Sequence, residues 1–317
     1  MKKMKVLVAC GGDSPEREVS LRSGKAVAEA LAVAGHQVFL EDLPTCLGVV
    51  EAARDRGADL VFVALHGGWG EDGRLQAVLE AHGIPYTGSG PESCMAAMDK
   101  ELTRAVFLDR GLPVPPGKVY EREDAALPDL ESLMAREGGH LALKPCCCGS
   151  TVGVSLVHRP EDLREARDLA LKYDDRLVAE RFIPGRELTV AVFEEGGRPR
   201  ALPAIEIRPH EGFYDYRNKY TSGATEYLCP APLEEALAAR VGSLAEAAHR
   251  ALGCRVYSRV DFRLSEEGEP FLLEVNTAPG MTGTSLVPKA GAAVGWSFPQ
   301  VTDRIVRASL EVCRGRR

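Results

Sequence analysis

The stretch YSRVDFRLSEEGEPFLLEVN, residues 257–276, alternates apolar and polar residues on both sides of a Glu267-Gly268 step. Its reading decides the architecture of the second half of the chain. Successive side chains of a strand point to opposite faces, and glycine supplies the positive φ that a tight hairpin turn requires. A turn centred on Glu267-Gly268 sets Arg259 opposite Asn276, Val260 opposite Val275, Asp261 opposite Glu274 and Phe262 opposite Leu273. Val260, Phe262, Leu264, Phe271, Leu273 and Val275 then form an apolar face, while Arg259, Asp261, Glu274 and Asn276 share the other. A slip of one residue would exchange the faces.

Two carboxylates directly opposed on a strand pair repel each other. One resolution is a cation between them: oxygen ligands from Asp261, Glu274 and Asn276 suit Mg²⁺, which is held by one or two carboxylates and completed by water and substrate phosphates. The other is a solvated face with Arg259 or Arg263 as counter-ion. The hairpin alone leaves both open.

Upstream, LALKPCCCGSTVG (residues 141–153) ends an apolar strand on Lys144 and follows it with three cysteines and a Gly-Ser turn. Such a segment can bring an ammonium and turn N–H groups to a phosphate, although Lys144 alone would also fit a surface strand end. Zinc needs about four ligands at paired spacings, and Cys146, Cys147 and Cys148 do not supply them. The nine cysteines include no C-x-x-C pair, a usage that suggests reduced thiols in a cytoplasm.

The first ninety residues alternate in another way. KVLVACGG and DLVFVALHGG are apolar β-rich runs ending in glycine, LRSGKAVAEALAVAGH between them reads as a helix, and QVFLED as a third strand. That order predicts a parallel α/β sheet, whose ligands sit beyond the carboxyl ends of the strands. Those ends carry Glu16, Ser20 and His66, each of which alone reads equally well as part of a solvated turn. No G-x-G-x-x-G follows the first strand and no P-loop motif occurs, which removes the usual support for dinucleotide and P-loop folds.

A boundary falls near TGSGPES, followed by a helix from about Glu92 to Arg110. The second unit contains LALKP, GVSLV and RLVAERF around PEDLREARDLALKY; the third contains ELTVAVF, ALPAIEI, a helix from about 232 to 252 and the hairpin. The expected fold class is α/β, α+β in parts, with units at 1–92, 93–183 and 184–317. The 317 residues, 45% hydrophobic and 27% charged, suffice for two or three units. A net charge of -7 argues against a general nucleic-acid surface. The apolar run in MKKMKVLVACGG is about six residues, too short for a signal peptide or a membrane span. A cation-binding face, a Lys/Gly loop and an α/β unit in one chain suggest phosphoryl transfer from a nucleotide.

Along essentially its whole length the chain resembles the D-alanine:D-alanine ligases of the ATP-grasp superfamily. The matching segments are GGDSPEREVSLRSG, ALHGGWGEDGRLQ, PYTGSG, MDKELTR, KPCCCGSTVGVS, FYDYRNKYTSG, CPA, GCRVYSRVDF and LLEVNTAPGMTGTSLVP. The resemblance implies an N-terminal α/β domain followed by a two-subdomain ATP-grasp fold. It also implies a two-step reaction: one D-alanine carboxylate attacks the γ-phosphate of ATP, and the amine of a second D-alanine then displaces phosphate from the acyl phosphate.

Carried over residue by residue, the resemblance gives Lys100 and Lys144 to the α- and β-phosphates and Lys219 to the γ-phosphate. Glu180 and Ile183 would contact adenine, and Glu187 the ribose hydroxyls. Asp261, Glu274 and Asn276 match the ligands of Mg²⁺, or of Mn²⁺ in its place. Glu16 would anchor the first D-alanine's ammonium in a network with Ser150 and Tyr220, and Arg259 with the N–H of Gly280 would face the developing oxyanion. Ser285 and the backbone at Leu286 match the site of the second D-alanine's carboxylate. His66 lies near the substrates, in a structural, orienting or catalytic role. Tyr220 favours the dipeptide over D-alanyl-D-lactate. A cytoplasmic homodimer serving peptidoglycan precursor synthesis is implied as well, with neither nucleic acid nor membrane as partner.

Two departures stand out. Cys148 occupies a position that is usually acidic in this family, and Thr284 replaces a frequent histidine. The thiols either occupy a tolerant loop or alter its closure, a thiolate near Lys144 being expected to have a lowered pKa. The rival readings are an ATP-grasp ligase for other amino acids, and a nucleotide-binding regulatory protein without turnover.

Overall fold

The computed structural model describes residues 3–149, 151–210 and 223–315. Ser150, Lys219 and Tyr220 lie outside the described residues.

The N-terminal strands β1 (Lys5–Gly11), β2 (Gln37–Leu43) and β3 (Leu60–Val63) form a parallel sheet in the order β2-β1-β3. Both faces are covered, as a parallel sheet requires. Val6, Val8, Leu60 and Phe62 point into one cluster with Val27 and Leu31 of helix α1 (Arg17–Val33). Leu7, Ala9, Val61 and Val63 point into another, with Val49 and Val50 of α2 (Cys46–Arg56) and Leu75 and Leu79 of α3 (Arg74–Ala81). The expected three strands, their parallel sheet and the helix after the first strand are met, while α2 and α3 are additions to that expectation.

The segment expected as one helix from 92 to 110 is two: α4 (Pro91–Met98) and α5 (Lys100–Asp109). They part at Asp99, whose backbone is extended and whose carboxylate accepts from the N–H groups of Glu101 and Leu102. Aspartate is a strong N-cap because it satisfies donors that the first helical turn leaves unpaired. The break sets Lys100 at the first position of α5, with its N–H on Cys146 O at 3.0 Å.

A four-stranded antiparallel sheet follows, in the order β4 (Gly117–Glu121), β7 (Arg176–Arg181), β5 (Leu141–Pro145), β6 (Ser155–Val157). Alternation sorts it: Leu141, Leu143, Leu177 and Ala179 pack on α6 (Leu127–Arg136) and α7 (Leu163–Leu171). Ala142, Lys144 and Glu180 face the other way.

The third sheet runs β11 (Thr225–Leu228), β10 (Ile205–Pro209), β8 (Gly185–Glu195), β12 (Tyr257–Ser265), β13 (Pro270–Asn276), with β9 (Arg198–Ala201) beside β8. Leu188, Val190, Val260, Phe262, Leu272 and Val275 bury one face under Val241, Ala245 and Ala248 of α8 (Glu235–Ala251). Each fully buried Leu, Val or Phe contributes about 1.5–3 kcal/mol relative to exposure, so this face fixes the sheet's side assignment. After α9 (Leu286–Ala293), the last helix α10 (Phe298–Gly315) returns to the first sheet, where Val301, Ile305 and Leu310 join the cluster of Val6, Val8 and Phe62.

The hairpin register holds at Asp261–Glu274 and Arg259–Asn276 but not beyond. Phe262 faces Leu272, not Leu273, because the ladder shifts by one residue between Asp261 and Phe262. Leu273 is the extra residue of a β-bulge. It leaves the apolar face, which Leu272 takes at 1% exposure. The turn also differs: Ser265 N–H donates to Glu269 O at 2.9 Å, giving a loop of Glu266, Glu267 and Gly268, with Gly268 at φ 82°.

Candidate active site

The polar faces of the second and third sheets look at each other across a cleft that opens to solvent. Pro115, Ala142, Leu156, Ile183 and Leu273 line an apolar part; Lys100, Lys144, Glu180, Glu187, Asp261 and Glu274 line the polar part. Seven residues expected at a nucleotide site, Lys100, Lys144, Glu180, Ile183, Glu187, Asp261 and Glu274, thus converge. Leu273 is there through the bulge.

On the third sheet one face crosses three strands. Glu187 and Thr189 of β8 lie opposite Arg263 and Asp261 of β12, and Asp261 lies opposite Glu274 of β13. Asp261, 9% exposed, accepts from Arg259 Nε at 2.9 Å and Nη2 at 2.7 Å, from Thr189 Oγ1 at 2.5 Å and from Asn276 Nδ2 at 3.1 Å. Arg259 is thus the counter-ion within the protein, in the geometry that makes bidentate arginine–carboxylate pairs strong. It lies beside the expected metal ligands. Among the described residues no group of three or more His, Cys, Asp and Glu is arranged to hold a metal. The oxygen set is two carboxylates with an amide, and an amide turned over presents its oxygen to the same point. Those donors fit a hard cation that brings its own water and phosphate ligands.

On the second sheet Lys144 Nζ and Arg104 Nη1 hold the two oxygens of Glu180, Arg104 at 3.0 Å. Arg104, 8% exposed, is a charge within the buried stripe of α5. Sequence reading passed over it, although a charged residue flanked by buried Thr103 and Phe107 was the available signal.

The cysteine loop is tied down at its start. Lys100 Nζ donates to Cys148 O at 2.6 Å, and Cys147 N–H donates to Asp174 at 2.7 Å. Arg176 bridges Asp99 at 2.8 Å and Glu101 at 2.5 Å, and reaches Cys147 Sγ at 3.4 Å. The expectation of a lowered thiol pKa beside Lys144 is overturned. Burial pushes Cys146 up to about 12, and Cys147 up to about 11 with Asp99 and Asp174 adding to it. Burial also raises Cys148, against an opposing pull from Lys100, and Lys144 is engaged with Glu180.

Glu16, His66, Ser285 and Leu286, expected at the amino-acid end, do not line this cleft. A methyl group placed on Gly67 would come within 2.7 Å of Glu16 Oε2, and one on Gly149 within 3.6 Å. The Glu16 carboxylate therefore sits between the β3 exit loop and the cysteine loop. His66, 5% exposed, bonds Ser23 Oγ through Nε2 at 2.9 Å and Glu71 through Nδ1 at 3.4 Å. Ser23 Oγ in turn accepts the Met281 N–H at 3.3 Å. These bonds link His66, beyond β3, to the segment that carries Gly280. Ser285 is the N-cap residue of α9, its Oγ accepting from Thr282 N–H at 2.9 Å, and Leu286 opens that helix. Helix N-termini favour anions through their unpaired N–H groups.

The chain is similar to known proteins along nearly its whole length. Residues 44–89 match the model of the D-ala D-ala ligase N-terminus, and residues 106–307 that of the D-ala D-ala ligase C-terminus. The D-alanine--D-alanine ligase of Bordetella petrii is 48% identical over 303 residues, 95% of this chain and 91% of that one. That of Bordetella pertussis is 50% identical over 303 residues, 95% and 94% of the two chains. Among solved structures, the Bacillus anthracis D-alanine--D-alanine ligase complexed with ATP superposes with a TM-score of 0.86 at 31% identity, covering 99% of this chain and 100% of its own. The VanG D-Ala:D-Ser ligase of Enterococcus faecalis does so at 0.82 and 29%, covering 97% and 100%. With both ligase models matched and relatives aligned along nearly the whole length, the chain belongs to the D-alanine–D-alanine ligase family.

Proposed function

We propose that this enzyme joins two D-alanines at the expense of ATP, through an acyl phosphate, to give D-alanyl-D-alanine, ADP and phosphate. The observation that carries the reading is the convergence of Lys100, Lys144, Glu180, Glu187, Asp261 and Glu274 on one cleft between two sheets, in a chain of this family.

The apolar lining with Ile183 takes adenine, Glu180 and Glu187 accept from the base and the ribose, and Lys100 and Lys144 hold the α- and β-phosphates. Lys144 gives up part of its pairing with Glu180 to do so. Asp261, Glu274 and Asn276 would hold Mg²⁺, which neutralises charge on the phosphates when bound. Arg259, already aligned along β12 by Asp261, and the N–H of Gly280 face the oxyanion that forms when the second amine attacks. Glu16 anchors the first D-alanine's ammonium with Ser150 and Tyr220, Lys219 reaches the γ-phosphate, and Ser285 with the Leu286 N–H takes the second carboxylate. Domain divisions at 92 and 183, and a homodimer in the cytoplasm supplying peptidoglycan precursors, are proposed from the family. Among the described residues no helix is long and apolar enough to cross a membrane.

The test is phosphate release from ATP and Mg²⁺ under thiol reductant with D-alanine, L-alanine, or D-alanine plus D-lactate or D-serine, products being identified by mass. Release that requires D-alanine and yields mainly the alanyl dipeptide is the expected result. A mixed product in preference, or no release with ATP still bound, would overturn it.

A further inference from the structure

Arg263 has no role in the site as described. The sequence offered it as counter-ion to the hairpin carboxylates, and Arg259 has that place. Arg263 instead points along β12 toward the linker between β7 and β8. Its Nε donates to Ile183 O at 3.0 Å and its Nη2 to Gly185 O at 3.0 Å, either side of Pro184. Its guanidinium lies 5.5 Å from the centre of the Phe182 ring and 3.7 Å from Glu187. One planar fork thus grips a three-residue linker, the first residue of β8 and the Glu187 carboxylate, a task suited to arginine's fixed donor geometry.

The linker has no slack on that side. Gly185 sits at φ +124°, and a methyl group there would come within 2.1 Å of Leu264 O. Ile183 is 3% exposed and lines the cleft. Its N–H has no partner among the described residues, while its carbonyl is taken by Arg263. Because Arg263 and Asp261 are two apart on one strand, they share a face. The strand that carries the metal-side carboxylate therefore also sets the linker's position.

Resting on the reading of this cleft as the ATP site, we infer that Arg263 is a positioning residue that holds the Ile183 peptide and Glu187 for adenine and ribose in fixed register with the phosphate-side carboxylates. Burial lowers its pKa, with Glu187 opposing the shift, as expected of a guanidinium drawn into the cleft wall for its hydrogen bonds.

The experiment compares Arg263→Met and Arg263→Lys with the unaltered enzyme. Steady-state kinetics with ATP and 2′-deoxyATP is joined by calorimetric binding of each nucleotide without D-alanine. Arg263→Met should raise KM and Kd for ATP about tenfold, leaving kcat and the KM for D-alanine within about twofold. Its preference for ATP over 2′-deoxyATP should fall toward one, because Glu187 loses its orientation, and Arg263→Lys should recover part of that preference. An unchanged ATP affinity and ribose preference would overturn the inference. So would a common shift of kcat and both KM values with the preference kept, as a loosened fold would give. Should the Met variant not fold, the Lys variant and its ribose preference decide alone. If the unaltered enzyme binds ATP but releases no phosphate, the ligase reading fails while the binding comparison still tests Arg263.

Discussion

The two walls of the cleft hold their charges by different means. On the wall made by β8, β12 and β13, Asp261 and Glu274 are fixed by ladder register, and the opposite faces of the same strands are buried under α8. On the other, the cysteine loop is held at its start by Lys100, Asp174 and Arg176. Groups that must stay within a fraction of an ångström are anchored in a core, where displacement costs packing. The cysteine loop is held by a few polar ties, which the proposed phosphate contacts would replace.

The largest expected effect lies on the rigid wall. Asp261→Asn should lower kcat by about three orders of magnitude or more, since it removes the proposed metal ligand and the partner of Arg259, with the thermal transition still cooperative. Phosphate release under saturating ATP checks this, and unchanged turnover would break the assignment of that wall. A pair of neighbours sharpens the comparison within the hairpin. Leu272→Ala should cost about 2–5 kcal/mol of stability with ATP affinity little changed. Leu273→Ala should cost under about 1 kcal/mol and weaken ATP binding several-fold; denaturant melts and nucleotide titration separate the two, and equal stability losses would refute the bulge.

The smallest effect belongs to the loop. Cys147→Ser should leave kcat and KM within about twofold. The native Cys147 thiol, with its pKa near 11 in place of 9.0, should alkylate about a hundredfold more slowly at pH 7.5 than in unfolded chain. The sign for stability is clearest at the buried Cys146: between pH 9 and its raised pKa the folded state keeps a proton that the unfolded state has lost, so this thiol lowers stability as pH rises. Mass-resolved alkylation and alkaline melts test this, and rapid native labelling of Cys147 would reverse the contrast.

Much of this was legible in residue patterns. Alternation placed Asp261 against Glu274 and Arg259 against Asn276, and the pairing survived because two departures offset each other: a three-residue turn shifts the register one way and the bulge at Leu273 shifts it back. Gly268 suits either turn, so no local signal separated them. The helix break at Asp99 was legible as a cap residue before Lys100, but the apolar periodicity ran through it. Arg104 and the linker contacts of Arg263 depend on elements far apart in sequence, and no spacing rule carries such pairings. The raised thiols came from burial between segments, which a neighbouring lysine in sequence does not reveal.

The return of α10 to the first sheet has a consequence for synthesis. One face of that sheet finds its last covering side chains, Val301, Ile305 and Leu310, only near the other end of the chain. At ribosomal speeds of ~5–20 residues per second, the interval from β3 to α10 is on the order of ten to fifty seconds. During that time Val6, Val8 and Phe62 lack part of their final cover, and the nascent chain presents an apolar face of the kind that chaperones bind.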